Sequence, residues 1–323
     1  MKRKLLITGL SFLGLVSAAA VAGWCCYPEM EADTAPALMS VSQEKHEARG
    51  FGTDSSRVDS QITLRIPSGQ AGAVYAYLKD KYVGRDGILK DQFPDLHISG
   101  QKMSDVSNFT DVYYDTPALD LYRHRNSARH RTRENTTNPE DRKSGRELVQ
   151  MKVTPPGQFS LRNELKFKVK ERDKVKNADD IHPLIRLIDV DLRGNFKQVY
   201  VDAGINPYDL RHIFTIEQTR SRGYFNLDSK NILSFSVDEG SASMLWAKGT
   251  FSSVDIGLVE IAYTEGDEAL RQTMWRIRDA ILADLQQHFP ELTPTTNSKY
   301  GIVLEQLMRQ IPMIPALVRL GLL

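Results

Sequence analysis

Within Ser127 to Arg133 the chain places an arginine at every second position: Arg129, Arg131 and Arg133. Side chains of an extended strand alternate between its two faces, so all three guanidiniums would point the same way. Three like charges on one face call for an anion.

The same two-residue period recurs downstream, in short segments rich in β-branched and aromatic residues and bounded by turn formers. Lys152 lies in the strand expected over Leu148 to Val153. From Leu161 to Lys170, Arg162, Glu164, Lys166 and Lys168 alternate with Leu165, Phe167 and Val169. Phe214 to Leu227 carries Arg220 and Arg222, Leu233 to Asp238 ends on a carboxylate, and Leu258 to Thr264 contains Glu260. Such a sheet has one charged face and one apolar face. A half-exposed antiparallel sheet would leave the charged face to water. Several strands carry bases in phase, with fewer acids among them, and this fits a closed barrel whose cationic interior holds a polyanion. The expected class is α+β: an antiparallel closed β-barrel, or tunnel, with helices packed outside.

Helices are expected over Ala71 to Val83, Asp180 to Ile188 and Asp267 to His288, with Lys197 to Ala203 either a helix or a short strand. The clearest is Asp267 to His288, where Leu270, Met274, Ile277, Ile281 and Leu285 recur at three- and four-residue steps. The tail from Ile311 to Leu323 is apolar, with a single charge at Arg319, and is expected to dock on the domain or to meet a membrane or partner.

Tyr113-Tyr-Asp-Thr-Pro-Ala-Leu-Asp-Leu-Tyr122, followed by Ala128-Arg-His-Arg131, resembles the Y-[FY]-D-T-P-x-L-x-L … L-R-x-R signature of the CYTH domain, the triphosphate tunnel metalloenzyme superfamily. Later pieces follow the family's order: Lys152 closing a strand, Arg162-Asn-Glu164, Arg220-Ser-Arg222 with Tyr224, Val237-Asp-Glu-Gly240, Leu258-Val-Glu-Ile261 and Ser298-Lys-Tyr300. The resemblance covers about residues 58 to 308 and lies in the serial order of pieces that are individually weak. It implies a tunnel whose bases grip triphosphate or polyphosphate while acids hold Mg²⁺ or Mn²⁺. The implied phosphate ligands are Arg65, Arg129, Arg131, Lys152, Arg162, Arg220, Arg222 and Lys299. Glu164, Asp238 and Glu260 would hold metal, and Glu164 and Lys152 would serve catalysis. Such chemistry suits the residue types, because phosphoryl transfer depends mainly on positioning and charge neutralisation. Arginine's planar fork bonds two phosphate oxygens at once.

One departure bears on activity. The family's opening E-x-E-x-K strand corresponds here to Gln61-Ile-Thr-Leu-Arg65, so Gln61 and Thr63 stand where two metal-holding glutamates are expected. Hard divalent cations favour carboxylate oxygens, and neutral replacements weaken such a site. Two functions are therefore open: a metal-dependent phosphoanhydride hydrolase, or a non-catalytic polyphosphate-binding module.

Residues 1–24 carry Lys2-Arg-Lys4 and an apolar run from Leu5 to Trp24 with Ala20-Val-Ala22 near its end. The pattern fits a cleaved export signal or an uncleaved membrane anchor, with the domain exported to a periplasm or the medium in either case. Residues 25–57 are expected to be a flexible linker, 58–308 the tunnel domain and 309–323 the apolar tail. Cys25 and Cys26 are the only cysteines, which excludes thiol catalysis and disulfides in the domain. With 42 basic against 41 acidic residues the chain lacks the excess charge of a nucleic-acid-coating surface, so no nucleic-acid partner is expected. Membrane contact is expected only through an uncleaved N-terminal segment. No Walker loop, G-x-G-x-x-G or H-E-x-x-H motif occurs, and His130 falls on the opposite strand face from Arg129 and Arg131.

Overall fold

The computed structural model describes residues 55–83, 106–136, 140, 145–154, 161–169, 182–227, 230–258 and 268–323. The expected leader, Cys25, Cys26, most of the expected linker and Glu260 lie outside these residues. No helix among the described residues is long and apolar enough to cross a membrane.

Nine strands form one antiparallel sheet: β1 (Ser55–Arg65), β2 (Val106–Asp115), β3 (Ser127–Asn135), β4 (Glu147–Val153), β5 (Leu161–Lys168), β6 (Arg211–Leu227), β7 (Lys230–Met244), β8 (Ala247–Leu258) and the short β9 (Thr293–Thr295). Their order is β5-β4-β3-β2-β6-β7-β8-β1-β9. β1 has three partners along its length: Ser55 to Ser60 pair with β5, Gln61 to Arg65 pair with β8, and Thr63 to Arg65 also pair with β9. With five helices of at least seven residues among the described residues, packed on this sheet, the class is α+β.

The strands β4 and β5 match their expected spans closely, whereas β7 runs well beyond Leu233 to Asp238. β8 lies almost entirely upstream of the segment expected at Leu258 to Thr264, whose remainder is outside the described residues. Within the described part of the segment expected over Asp180 to Ile188, residues 182–188, there is a single 3₁₀ turn, Ile185–Leu187, and the helix expected at Lys197 begins earlier, at Val190.

Apolar side chains on the strand phase opposite the charged one are covered by two groups of helices. Against Val149, Met151, Leu165 and Phe167 packs α2 (Val190–Asp202) through Phe196, Val199 and Tyr200. Against Leu64, Phe235, Val237, Val254 and Ile256 pack α1 (Ala71–Leu78) and α3 (Glu268–His288). Met274, Ile277, Ile281 and Leu285 of α3 are all buried there, as their helical spacing requires. Each such side chain withdrawn from water contributes about 1.5–3 kcal/mol.

One helix departs from the expectation that all pack outside. Tyr113, Phe214, Ile216, Ala242, Met244 and Phe251 share the strand phase of the charged residues and form an apolar stretch at one end of that face. Left uncovered, that stretch would expose aromatic surface to water. The helix α4 (Lys299–Gln310) covers it, with Tyr300 stacked on Tyr113 and on Phe214 at centroid distances of 5.1 and 5.4 Å. A Cβ at Gly249 would stand 2.8 Å from the Val303 carbonyl, so this approach of α4 to β8 requires glycine. The apolar tail also docks on the domain: Ile311 is buried, and α5 (Ile314–Leu320) buries Ile314 and Val318 in the same cluster.

A candidate cationic phosphate site

The charged phase of the sheet carries Arg129, Arg131 and Arg133 on β3, Lys152 on β4, Glu164 and Lys166 on β5, Arg220 and Arg222 on β6, Asp238 on β7 and Asp255 on β8. Register explains the grouping. Asp111 of β2 stands directly opposite Arg131, and Arg220 opposite Asp238, so strand pairing itself sets charge against charge.

Arg131 bonds both oxygens of Asp111, Nε to Oδ1 at 2.5 Å and Nη2 to Oδ2 at 2.6 Å. Arg129 donates to Asp111 Oδ2 at 3.2 Å, to the Tyr113 hydroxyl at 2.9 Å and to Gln150 Oε1 at 2.9 and 3.0 Å. Burial alone would raise the Asp111 pKa, yet the two guanidiniums hold it below the ordinary carboxylate range. Burial, and then the neighbouring Arg129, pull the Arg131 guanidinium down.

A second group sits on β6 to β8. Arg220 forks onto Asp238 at 2.6 and 2.7 Å, and Lys299, the first residue of α4, also donates to Asp238 and lies 3.5 Å from Asp255. Burial opposes ionisation of Asp238, but Arg220 and Lys299 overcome it and leave this carboxyl strongly acidic. Thr63 donates its hydroxyl to Asp255 Oδ1 at 2.6 Å. Phe109 links the two groups, with the Arg131 guanidinium 4.2 Å and the Arg220 guanidinium 5.5 Å from its ring centre. A third group is Glu164, 2.8 Å from Lys166 and 3.9 Å from Lys152.

Among the described buried and half-buried residues on this face, eight cations (Arg129, Arg131, Arg133, Lys152, Lys166, Arg220, Arg222 and Lys299) meet four carboxylates (Asp111, Glu164, Asp238 and Asp255). That excess is a standing demand for an anion. Arg222 reaches only the Tyr224 hydroxyl, at 3.1 Å, and pairs with no carboxylate among the described residues. Gln218 and Ser253, buried in the same strand phase, leave their side-chain polar atoms without a hydrogen-bond partner there. Such groups cost about 1–3 kcal/mol each unless a ligand or water satisfies them.

Of the expected ligands, Arg129, Arg131, Lys152, Arg220, Arg222 and Lys299 share this face. Arg65 is exposed at the far end of β1, while Arg162 lies in β5 with its side chain outside the described set. Of the expected metal carboxylates, Glu164 on β5 sits beside Lys152 and Lys166, Asp238 on β7 is paired with Arg220 and Lys299, and Glu260 lies outside the described residues. Among the described residues no three His, Cys, Asp or Glu side chains form a metal-binding group. A hard divalent ion needs several anionic oxygens. Here each of the four carboxylates is already engaged by protein cations, so these residues do not fit a metal.

Sequence reasoning passed over Asp111, Lys166, Asp255, Gln218 and Ser253 as site residues. For Asp255 a signal existed, since Phe251, Ser253 and Asp255 alternate with Val254 and Ile256. Asp115, in the Asp-Thr-Pro motif, has a structural task. Its oxygens accept from the N–H groups of Thr116, Leu121 and Tyr122 at 2.7–2.9 Å and from the Tyr300 hydroxyl at 2.8 Å, tying the β2 end to α4. Burial pushes its pKa up to about 6 against those hydrogen bonds.

No protein-family model matches the chain, and no curated protein matches it. Solved structures do resemble it. A Hippeastrum protein assigned as an adenylyl cyclase, and described as having a dominant triphosphatase activity, is 13% identical with a TM-score of 0.44, over 77% of this chain and 95% of its own. A Pyrococcus horikoshii protein is 11% identical with a TM-score of 0.41, over 76% and 98% of the two chains. The RNA triphosphatase of S. pombe, solved with a peptide segment of a partner, is 7% identical with a TM-score of 0.30, over 72% and 85%.

Proposed function

We propose that this protein binds triphosphate or short polyphosphate on the cationic face of its sheet, and that the eight long strands enclose that face as a tunnel. Enclosure is supported by the double pairing of β1, which meets β5 with one half and β8 with the other. The observation that carries the ligand class is the excess of eight cations over four carboxylates among the described residues of this face, with all eight cations buried or half-buried. A single phosphate would meet one group of cations. A linked chain of phosphates can span Lys152 and Lys166 at one side, Arg129 and Arg131 in the middle, and Arg220 and Arg222 at the other.

Because the described carboxylates are bound to protein cations, binding without metal-dependent turnover is the function the geometry supports best. Hydrolysis is a second possibility, favoured by one feature: Glu164 is 3% exposed and stands beside Lys152 and Lys166, where a carboxylate can orient an attacking water. The basic start and apolar run of residues 1–24 support delivery of the domain across a membrane.

The test is titration calorimetry of the full chain with tripolyphosphate, paired with phosphate-release measurements in Mg²⁺, Mn²⁺ or EDTA. Saturable binding that weakens with salt, and no release in any condition, is expected. Absence of binding would overturn the proposal, and metal-dependent release abolished by Glu164→Gln would establish the hydrolase instead.

A further inference from the structure

We infer that the Lys299 ammonium is a built-in counter-ion occupying the position between Asp238 and Asp255 that a divalent cation would otherwise take, so that linked phosphates are bound without metal. The inference deepens the proposed function and rests on it for the ligand, though not for the role of the lysine.

Asp238 and Asp255 lie on adjacent strands, two residues apart along the same face, because Asp238 pairs with Ser253 and Asp255 with Ser236. Both are buried, and both face Lys299 Nζ, which donates to Asp238 and lies 3.5 Å from Asp255 Oδ2. Two carboxylates this close, away from water, repel strongly unless a cation stands between them. A lysine supplies that charge from the first residue of α4. The helix is anchored on both sides of it, by the Ser298 hydroxyl capping the Gly301 N–H at 3.1 Å and by the stacked Tyr300 ring.

The remaining oxygens are also engaged. Arg220 forks onto Asp238, and Thr63 turns its hydroxyl to Asp255 Oδ1. The cluster therefore holds two carboxylates against two cations and is neutral as built. A divalent ion added there would have to displace Lys299 and lose its contacts. Thr63 fits the same arrangement. At the strand position where a metal-holding carboxylate is expected, the chain carries a hydroxyl that donates to Asp255 and brings no further negative charge.

Removing the ammonium leaves the pair one positive charge short, which is the condition under which Mn²⁺ or Mg²⁺ would be taken up. The experiment compares Mn²⁺ binding to the full-length wild-type chain and to Lys299→Met, whose side chain keeps the apolar stem, by the paramagnetic spectrum of free Mn²⁺. Folding is monitored by circular dichroism. The wild type is expected to take up no Mn²⁺ at this cluster, and Lys299→Met to gain one site, at least tenfold tighter than any residual Mn²⁺ uptake by the wild-type chain, that a further Asp255→Asn change abolishes.

A wild-type Mn²⁺ site lost on Asp255→Asn would overturn the inference, as would a folded Lys299→Met protein with no gain. Should Lys299→Met fail to fold, Lys299→Gln, which retains a donor, takes its place under the same criteria. A separate arm measures tripolyphosphate binding in EDTA and in Mn²⁺, which itself complexes tripolyphosphate: affinity in EDTA at least equal to that in Mn²⁺ is expected, and binding that requires Mn²⁺ would overturn metal-free binding. Failure of tripolyphosphate to bind at all would remove the proposed function, while the Mn²⁺ comparison would still decide the role of Lys299.

Discussion

Arg131 and Asp111 face each other across the β2–β3 pairing and join through two parallel hydrogen bonds at 2.5 and 2.6 Å, both side chains almost wholly buried. An arginine expected to serve a ligand is thus also part of the framework. Asp111 is shared with Arg129, so one carboxylate organises two guanidiniums and still leaves the pair with net positive charge.

Arg131→Ala should therefore cost stability as well as affinity. Breaking a buried pair by removing one partner costs about 3–5 kcal/mol, because the other charge is left uncompensated. Urea unfolding should show that loss, partly recovered when Asp111→Asn is added. An unfolding midpoint unchanged by Arg131→Ala would contradict the observed pairing.

Arg222→Ala should separate the two roles. Its guanidinium reaches a tyrosine hydroxyl and no described carboxylate, so stability should change by no more than about 0.5 kcal/mol. Tripolyphosphate affinity should fall by about 1.5–3 kcal/mol, the range for hydrogen bonds to charged groups. Calorimetric titration of the variant beside the wild type checks both halves.

Gln306 and Gln310 substitute for a missing strand. Gln306 Nε2 donates to the Thr250 carbonyl at 2.6 Å and its Oε1 accepts the Thr250 N–H at 3.0 Å, and Gln310 repeats this with Lys248 at 2.7 and 3.2 Å. Double replacement by alanine should destabilise by about 2–6 kcal/mol, taking about 0.5–1.5 for each of the four hydrogen bonds lost. Faster amide exchange at Lys248 and Thr250 is the specific signature.

Asp115 gives a pH dependence of unusual sign. The folded chain holds its proton up to about pH 6, whereas an unfolded aspartate releases it near pH 3.9. Its contribution to stability is thus complete below about pH 4 and is lost as pH rises through about 6, by about 3 kcal/mol at 1.36 kcal/mol per unit. Asp111 and Asp238, whose pKa values are depressed, act oppositely: their contribution is present above about pH 4 and lost in acid. Stability measured between pH 4 and 6 should fall less steeply in Asp115→Asn than in the wild type.

Much of the site was legible because a strand's period of two needs only local sequence. Arg129 and Arg131, Arg220 and Arg222, and the alternation along β5 could be placed on common faces from spacing alone. Lys299 was legible only through resemblance, since a lysine opening a helix announces no target. The role assigned to it from resemblance, a phosphate ligand, gives way in the inference above to a counter-ion, because its neighbours Asp238 and Asp255 come from strands more than 40 residues away. The metal trio illustrates the opposite difficulty. Glu164 and Asp238 are acids of the expected type, but each is claimed by nearby cations, which residue type alone does not reveal.

By itself, then, the sequence determined the strand phases, the apolar faces of the helices and the local excess of positive charge, because these follow from periodicities of two and 3.6 residues. Only the tertiary structure decided which charges neutralise one another, that α4 packs on the charged phase rather than behind it, and that Asp115 serves as a latch. Those outcomes depend on strand register and on contacts between distant segments, where a shift of one residue would send every side chain to the other face.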